Sequence, residues 1–230
     1  MSAKFESRDI VLPGDLLYEG RARAGDNTYR REGKIYATRI GLVDYTGGRV
    51  SVIALRSSYT PIVGDVVIGT VVDVELGQWK VDIGAEKEAI LTVNEAIDRP
   101  FRTNMNLVRI LDVGDTIAAK IVDLDKRRTP ILSIRGRDLG KLENGFIVTM
   151  TPSKIPRLIG KKGSMINMIL KETGCHIIIG QNGRILVNGP NREMEDLVTT
   201  IIEKIEAEAH IPGLTNRIQA FLKSYKEKKE

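Results

Sequence analysis

The chain has 230 residues, 42% of them hydrophobic and 28% charged, and a formal net charge of +5. That apolar share excludes wholesale disorder, and the mild basic excess admits a polyanionic partner without requiring one. One cysteine, Cys175, and two histidines, His176 and His210, exclude an intrachain disulfide and a four-ligand Cys/His zinc site.

In chain order, the first six residues lack the apolar run of a signal peptide. No later stretch approaches the ~20 apolar residues that span a bilayer, so a soluble, cytoplasmic chain with no membrane partner is expected. Residues 34–43 read as a strand, Asp44-Tyr45-Thr46-Gly47-Gly48 as a turn and residues 49–55 as its return, which predicts a hairpin. The pairs Gly14-Asp15, Gly64-Asp65 and Gly114-Asp115 each precede a strand-like run. Their flanks differ too much for a repeat, and they read as ordinary turns. Five strands, at 66–74, 79–83, 88–93, 116–123 and 130–134, predict a small closed barrel. A long connection, 94–112, interrupts them and carries Arg99, Arg102 and Arg109.

After Gly145 the period changes. A strand at 146–150 precedes a short turn bracketed by Pro152 and Pro156, then a helix at 164–173 stopped by Gly174. Strands at 176–179 and 185–187 follow, then a long helix with Asn191 as its cap. The order is β-α-α-β-β-α. The charged end, 223–230, reads as a frayed tail.

Between a short helix ending near Ile159 and one beginning near Ser164 lie Gly160, Lys161, Lys162 and Gly163. Terminal glycines let the chain turn sharply and let a ligand backbone approach without meeting a Cβ. The second helix turns its N–H groups and positive dipole end toward the loop, which favours phosphate. Leu158-Ile159-Gly160-Lys161-Lys162-Gly163-Ser164 resembles the KH RNA-binding module, whose GXXG loop clamps single-stranded backbone. The resemblance implies that Ile155, Ile159, Ile166 and Ile177 or Ile179 line a groove for the bases, with Arg157 beside them.

Upstream, Val63-Gly64-Asp65-Val66-Val67-Ile68-Gly69-Thr70-Val71, followed by Val81-Asp82-Ile83-Gly84, resembles an S1-type OB fold. Lys80 stands at that family's usual phenylalanine position and Thr92 at its usual histidine position. Aromatics make up only 5% of the chain, so backbone electrostatics fit better than base stacking. Trp79 alternates with Val81 and Ile83 and faces either the core or a partner. Arg99, Arg102, Lys126, Arg127 and Arg128 form either phosphate contacts or a solvated charge cluster.

An S1-type barrel followed directly by a KH module, behind a domain opening Val11-Leu12-Pro13-Gly14-Asp15, is similar to the KH-bearing RNA-binding cap proteins of the archaeal exosome. The resemblance implies a fold that is mainly β over its first two thirds, then α+β. A small β-rich domain (1–60) and a five-stranded OB/S1-like barrel (61–140) precede the KH module (141–215) and a charged tail (216–230). It also implies partners: single-stranded RNA and a hexameric ring of RNase PH-like exosome subunits, capped by three copies. The N-terminal domain and part of the barrel would dock on the ring, with residues 99–106 toward its pore. A free-standing RNA-binding regulator and a chiefly structural subunit are the alternative readings.

The acidic residues are dispersed rather than clustered for two metals. Glu193, Glu195 and Asp196 stand at a helix start, where acids favour the dipole. The glycine loop lacks the Gly-x4-Gly-Lys-Ser/Thr spacing of a P-loop, and Cys175 and His176 would point to opposite faces of a strand. No catalytic residue, metal or cofactor is expected.

Overall fold

A computed structural model of the chain describes residues 2–54, 59–97, 105–209, 211 and 213–227. The chain divides into two compact units after Ser57. The first holds β1 (Ser2–Ala3), β2 (Ile10–Val11), β3 (Leu16–Glu19), β4 (Arg23–Ala24), β5 (Thr28–Arg31), β6 (Lys34–Ala37), β7 (Gly41–Thr46) and β8 (Arg49–Ala54). These make two sheets, ordered β1-β3-β6-β5 and β2-β7-β8-β4. Alternation along the strands sends Val11, Leu17, Ile35, Val43, Val50 and Val52 into one shared core. Burying a side chain of this size stabilises by about 1.5–3 kcal/mol.

The expected hairpin is β7–β8, closed by Gly47-Gly48 at φ 62° and 73°, as a two-residue turn with paired positive φ requires. Residues 34–43, however, are two strands rather than one. β6 pairs with β3 and β5, whereas β7 pairs with β2 and β8, so the chain changes sheet at Thr38-Arg39-Ile40. The three Gly-Asp pairs are one turn used three times. The N–H groups of Asp15, Asp65 and Asp115 donate to the carbonyls of Leu12, Ile62 and Asp112 at 3.0, 3.1 and 3.1 Å.

The second unit begins with the barrel: β9 (Val66–Glu75), β10 (Gln78–Asp82), β11 (Ala89–Thr92), β12 (Thr116–Leu124) and β13 (Pro130–Ser133). The order is β13-β11-β10-β9-β12, and a β12–β13 pairing closes it. The short helix α1 (Val93–Ala96) follows β11, and β14 (Gly140–Lys141) pairs with β12. Trp79 is fully buried among Val67, Val81, Leu91 and Ile117, so it faces the core and not a partner. Its indole N–H donates to Leu111 O at 2.9 Å, which pins the long connection to the barrel.

Next comes an antiparallel sheet ordered β15-β17-β16, from β15 (Phe146–Thr149), β16 (His176–Ile179) and β17 (Arg184–Asn188). Helices α2 (Ile155–Ile159), α3 (Ser164–Thr173) and α4 (Arg192–Glu208) join it in the expected β-α-α-β-β-α order. Asn191 caps α4, its side chain accepting from the Met194 N–H at 2.9 Å. The segment expected to fray, 223–230, is helical over its described residues, 223–227. Helix α5 (Leu214–Glu227) buries Leu214, Ile218 and Leu222, one stripe at four-residue spacing, in the same core as Ile201 and Ile205. Lys223, the first of the lysines that suggested fraying, is exposed.

At the junction of the barrel and this α+β module, Arg184 Nη2 donates to Asp82 Oδ2 at 2.5 Å. Burial disfavours the Asp82 carboxylate, but Arg184 and the Gly84 N–H outweigh it and hold its pKa below the usual value. A depressed carboxyl pKa adds stability that is present at neutral pH and lost as pH falls through the folded value. The stability difference between wild type and Asp82→Asn should therefore shrink as denaturant melts are taken below about pH 4. Ile218→Ala should cost about 2–5 kcal/mol in the same melts, whereas Lys223→Ala on the outer face should change stability by no more than about 0.5 kcal/mol.

Candidate nucleic-acid interface

Helix α2 stops because Gly160 leaves the helical region, at φ 74° and ψ 173°. No other residue fits there: a Cβ would lie 2.7 Å from Met165 N and 2.8 Å from Met165 Cβ. Lys161-Lys162-Gly163 form a single tight turn in which Lys162 itself adopts φ 53°, ψ 32°. The Gly163 N–H donates back to Gly160 O at 3.2 Å. Gly163 is the N-cap of α3 and offers no side chain to the helix's first N–H groups, of which that of Ser164 donates to Lys161 O. Both lysines are exposed, and among the described residues neither forms an ion pair. Two unneutralised ammonium groups thus flank the positive end of a ten-residue helix.

The structure separates the residues expected to line a groove into two kinds. Ile155 is fully buried beside Leu158 and Ile169, so it roots α2 in the core and cannot line a groove. Ile159, Ile166, Ile177 and Ile179 are half-buried, and Arg157 is exposed on α2. β16, which carries Ile177 and Ile179, is an edge strand and leaves one side of its backbone unpaired within the sheet.

On the barrel, Lys80 bonds to Glu75 and lies 3.5 Å from Asp73, directly across β9. Its charge is paired within the barrel, at the strand position where the S1 resemblance has a phenylalanine. Thr92 sits opposite Gln78 on the neighbouring strand. The available cations lie in the turn between β12 and β13, where Lys126, Arg127 and Arg128 are all exposed. Asp125 shapes that turn: its Oδ1 accepts the N–H groups of Arg127 and Thr129 at 2.8 and 2.7 Å. Those bonds, led by the one from Thr129, hold the Asp125 carboxyl below the usual range.

Beside the turn is a pocket of about 320 Å³, lined by Thr60, Pro61, Ala85, Leu124 and Pro130 and by the charged residues Glu86, Lys87, Arg127 and Arg128. Lys87 donates to Arg127 O. Its place between Glu86 and Glu88 in the sequence concealed its part in a lining where three cations meet one acid, Glu86. Arg99 and Arg102 lie outside the described residues.

Comparison with known proteins agrees with this architecture. Residues 8–56 match the family described as the exosome RNA binding protein RRP4 N-terminal domain, residues 58–123 the RRP4 S1 domain, and residues 145–193 the KH domain. The exosome complex component Rrp4 of Thermococcus kodakarensis is 45% identical over 94% of this chain and 86% of its own length. The Rrp4 of Methanobrevibacter smithii is 44% identical over 93% of this chain and 70% of its own. A crystallised protein assigned as a candidate exosome complex RNA-binding protein superposes with a TM-score of 0.70 at 39% identity, covering 76% of this chain and 100% of that one. With its N-terminal domain, S1 barrel and KH module all matched in order, the chain belongs to the Rrp4 family of exosome complex components.

Proposed function

We propose that this chain is the non-catalytic RNA-binding subunit of an archaeal-type exosome. Three copies cap a hexameric ring of phosphorolytic, RNase PH-like subunits and lead single-stranded RNA 3′ ends to its pore. The observation that carries the RNA-binding part is the corner at Gly160–Gly163, where a helix N-terminus capped by a glycine meets two exposed lysines that form no ion pair among the described residues. Among the described residues no cluster of His, Cys, Asp or Glu is arranged to hold a metal ion. In this reading phosphorolysis belongs to the ring.

The division of labour follows the domain boundaries. The KH module (141–215) holds backbone phosphates, and the barrel (61–140) adds Lys87, Arg127 and Arg128. The N-terminal domain (1–60) docks. A row on the outer face of its second sheet supports docking: Ile10 pairs with Leu42 and Leu42 with Ile53, and Ile10 and Ile53 are 62% and 53% exposed. Contiguous apolar side chains left in water on neighbouring strands are characteristic of an interaction surface.

Changing Lys161 and Lys162 to Glu should leave thermal unfolding unchanged and weaken single-stranded RNA binding. Each lost phosphate contact should flatten the slope of log K against log salt by about 0.7. An unchanged slope would reject the loop as the phosphate site. Ile53→Glu should abolish co-sedimentation with the ring subunits while preserving RNA binding by the free chain. A monomer in native mass measurements of the co-expressed ring and chain would instead favour a free-standing RNA-binding regulator. Incubation of the purified chain with labelled RNA, with and without phosphate, should leave the RNA at full length.

A further inference from the structure

The first sheet of the N-terminal unit, β1-β3-β6-β5, turns one face to the core and the other outward. Ile35 and Ala37 of β6 are buried in the core, so Lys34 and Tyr36 alternate to the outer face. Tyr36 pairs with Leu16 on one side and with Tyr29 on the other, where β5 is the edge of the sheet. The two tyrosine rings stack, with centroids 5.3 Å apart and planes 22° from parallel. Leu16, Tyr36 and Tyr29 thus form one row, which ends at the sheet edge with Tyr29 41% exposed. A ring braced from one side and left in water on the other offers a flat apolar face on which any nucleobase can stack.

The charges near the row favour a polyanion. Arg31 shares the outer face with Tyr29, two residues along β5, and stands opposite Lys34. Arg31 lies 3.8 Å from Glu32, and Lys34 lies 3.2 Å from Glu19. Ion pairs so open to water hold little, so a phosphate can compete for either cation. Arg30 donates instead to Gly20 O, a carbonyl that leaves its charge unneutralised. Arg21, next in the chain to that glycine, is exposed. Over residues 1–57, ten basic residues, eight of them arginine, stand against seven acidic ones. The exposed apolar row Ile10, Leu42 and Ile53 belongs to the second sheet, and the two sheets enclose one core between them. The two rows therefore look in opposite directions, and a chain docked by the second sheet keeps the tyrosines free.

We propose that Tyr29, braced by Tyr36, is a stacking platform for a base of single-stranded RNA, with Arg30 and Arg31 holding the phosphates beside it. The apolar row is one side chain wide and bordered by cations. That is far narrower than the roughly 800 Å² per partner of a standard protein contact, but it matches a base and its flanking phosphates. Stacking uses the face that every base presents, so the platform accepts any sequence. Its physics differs from that of the glycine loop, which holds backbone by charge. A strand that engages both sites is bound more tightly than by either alone.

The proposal rests on the RNA-binding reading above, and the test keeps the two apart. Full-length wild type, Tyr29→Leu, Tyr29→Phe and Arg31→Gln are titrated with single-stranded RNA of about 20 nucleotides at several salt concentrations. Leucine keeps an apolar side chain against Tyr36 without a ring, whereas phenylalanine keeps the ring. Tyr29→Leu should weaken binding at least about fivefold, the size of one lost base stack, and leave the slope of log K against log salt unchanged. Tyr29→Phe should bind as wild type does, and Arg31→Gln should flatten the slope by about 0.7. RNA carrying 5-iodouridine, irradiated on the wild type, should crosslink to Tyr29, as located by mass spectrometry. The crosslink and the Arg31→Gln slope decide the question even if Tyr29→Leu does not fold: no crosslink at Tyr29 and an unchanged slope would overturn the platform. Wild-type affinity in Tyr29→Leu, or equal weakening in Tyr29→Leu and Tyr29→Phe, would do the same and leave the glycine loop untouched. Lost co-sedimentation of Tyr29→Leu with the ring subunits, with RNA binding unchanged, would give the row to a protein contact instead. A wild type that binds no RNA would remove the RNA-binding reading itself, and the platform with it.

Discussion

The first turn of a helix leaves backbone N–H groups without partners inside the helix, and at the start of α3 the residue in the capping position has no side chain to offer. The Ser164 N–H turns back to Lys161 O, and Lys161 and Lys162 stand exposed beside that terminus with no ion pair among the described residues, so the local potential favours an anion. The corner keeps its shape because its supports are apolar and rigid. Leu158 and Ile155 anchor the helix that arrives, Met165 and Ile169 anchor the helix that departs, and all four are buried in one core. Gly160 lets the two helices close to a distance that any Cβ would prevent.

Lysines of identical chemistry acquire different roles from their surroundings. Lys80 stands on a strand whose neighbour presents Asp73 and whose own hairpin presents Glu75, and its charge is spent within the molecule. Lys161 and Lys162 have no acid within reach among the described residues. Exposed ion pairs contribute little to stability, so the pairing of Lys80 matters here chiefly because it removes a cation from the barrel face. The turn at Lys126–Arg128 escapes that fate because Asp125 is occupied by backbone N–H groups instead of by its basic neighbours.

The same accounting of polar groups explains how the two RNA-contacting modules are joined. An open barrel end exposes strand edges that need partners, and Asn182, in the turn between β16 and β17, provides them, donating to Ile68 O and Ile83 O at 2.7 and 2.8 Å. No buried side-chain nitrogen or oxygen is left without a hydrogen bond among the described residues. The junction is polar, short-ranged and directional, which fixes orientation more strictly than an apolar contact of equal size.

Much of this was legible along the chain, since the features concerned are local. Glycine pairs mark turns because positive φ is cheap only there. Alternation marks β9–β13, and the sequence from Leu158 to Ser164 carries its helix end, turn and helix start in consecutive residues. The stripe Leu214, Ile218, Leu222 was equally local, but the surrounding lysines hid it. What tertiary structure alone decided depends on residues brought together from far apart. Ile155 and Ile159 are four residues apart on one short helix, yet only tertiary packing determines that the first is fully buried and the second half-buried. Whether Lys80 is available depends on Asp73 across a strand pair. The role of Asn182 depends on where β9 and β10 part, more than a hundred residues earlier for β9. Backbone preference is written residue by residue, whereas burial, neutralisation and hydrogen-bond partnership are properties of pairs that exist only once the chain has folded.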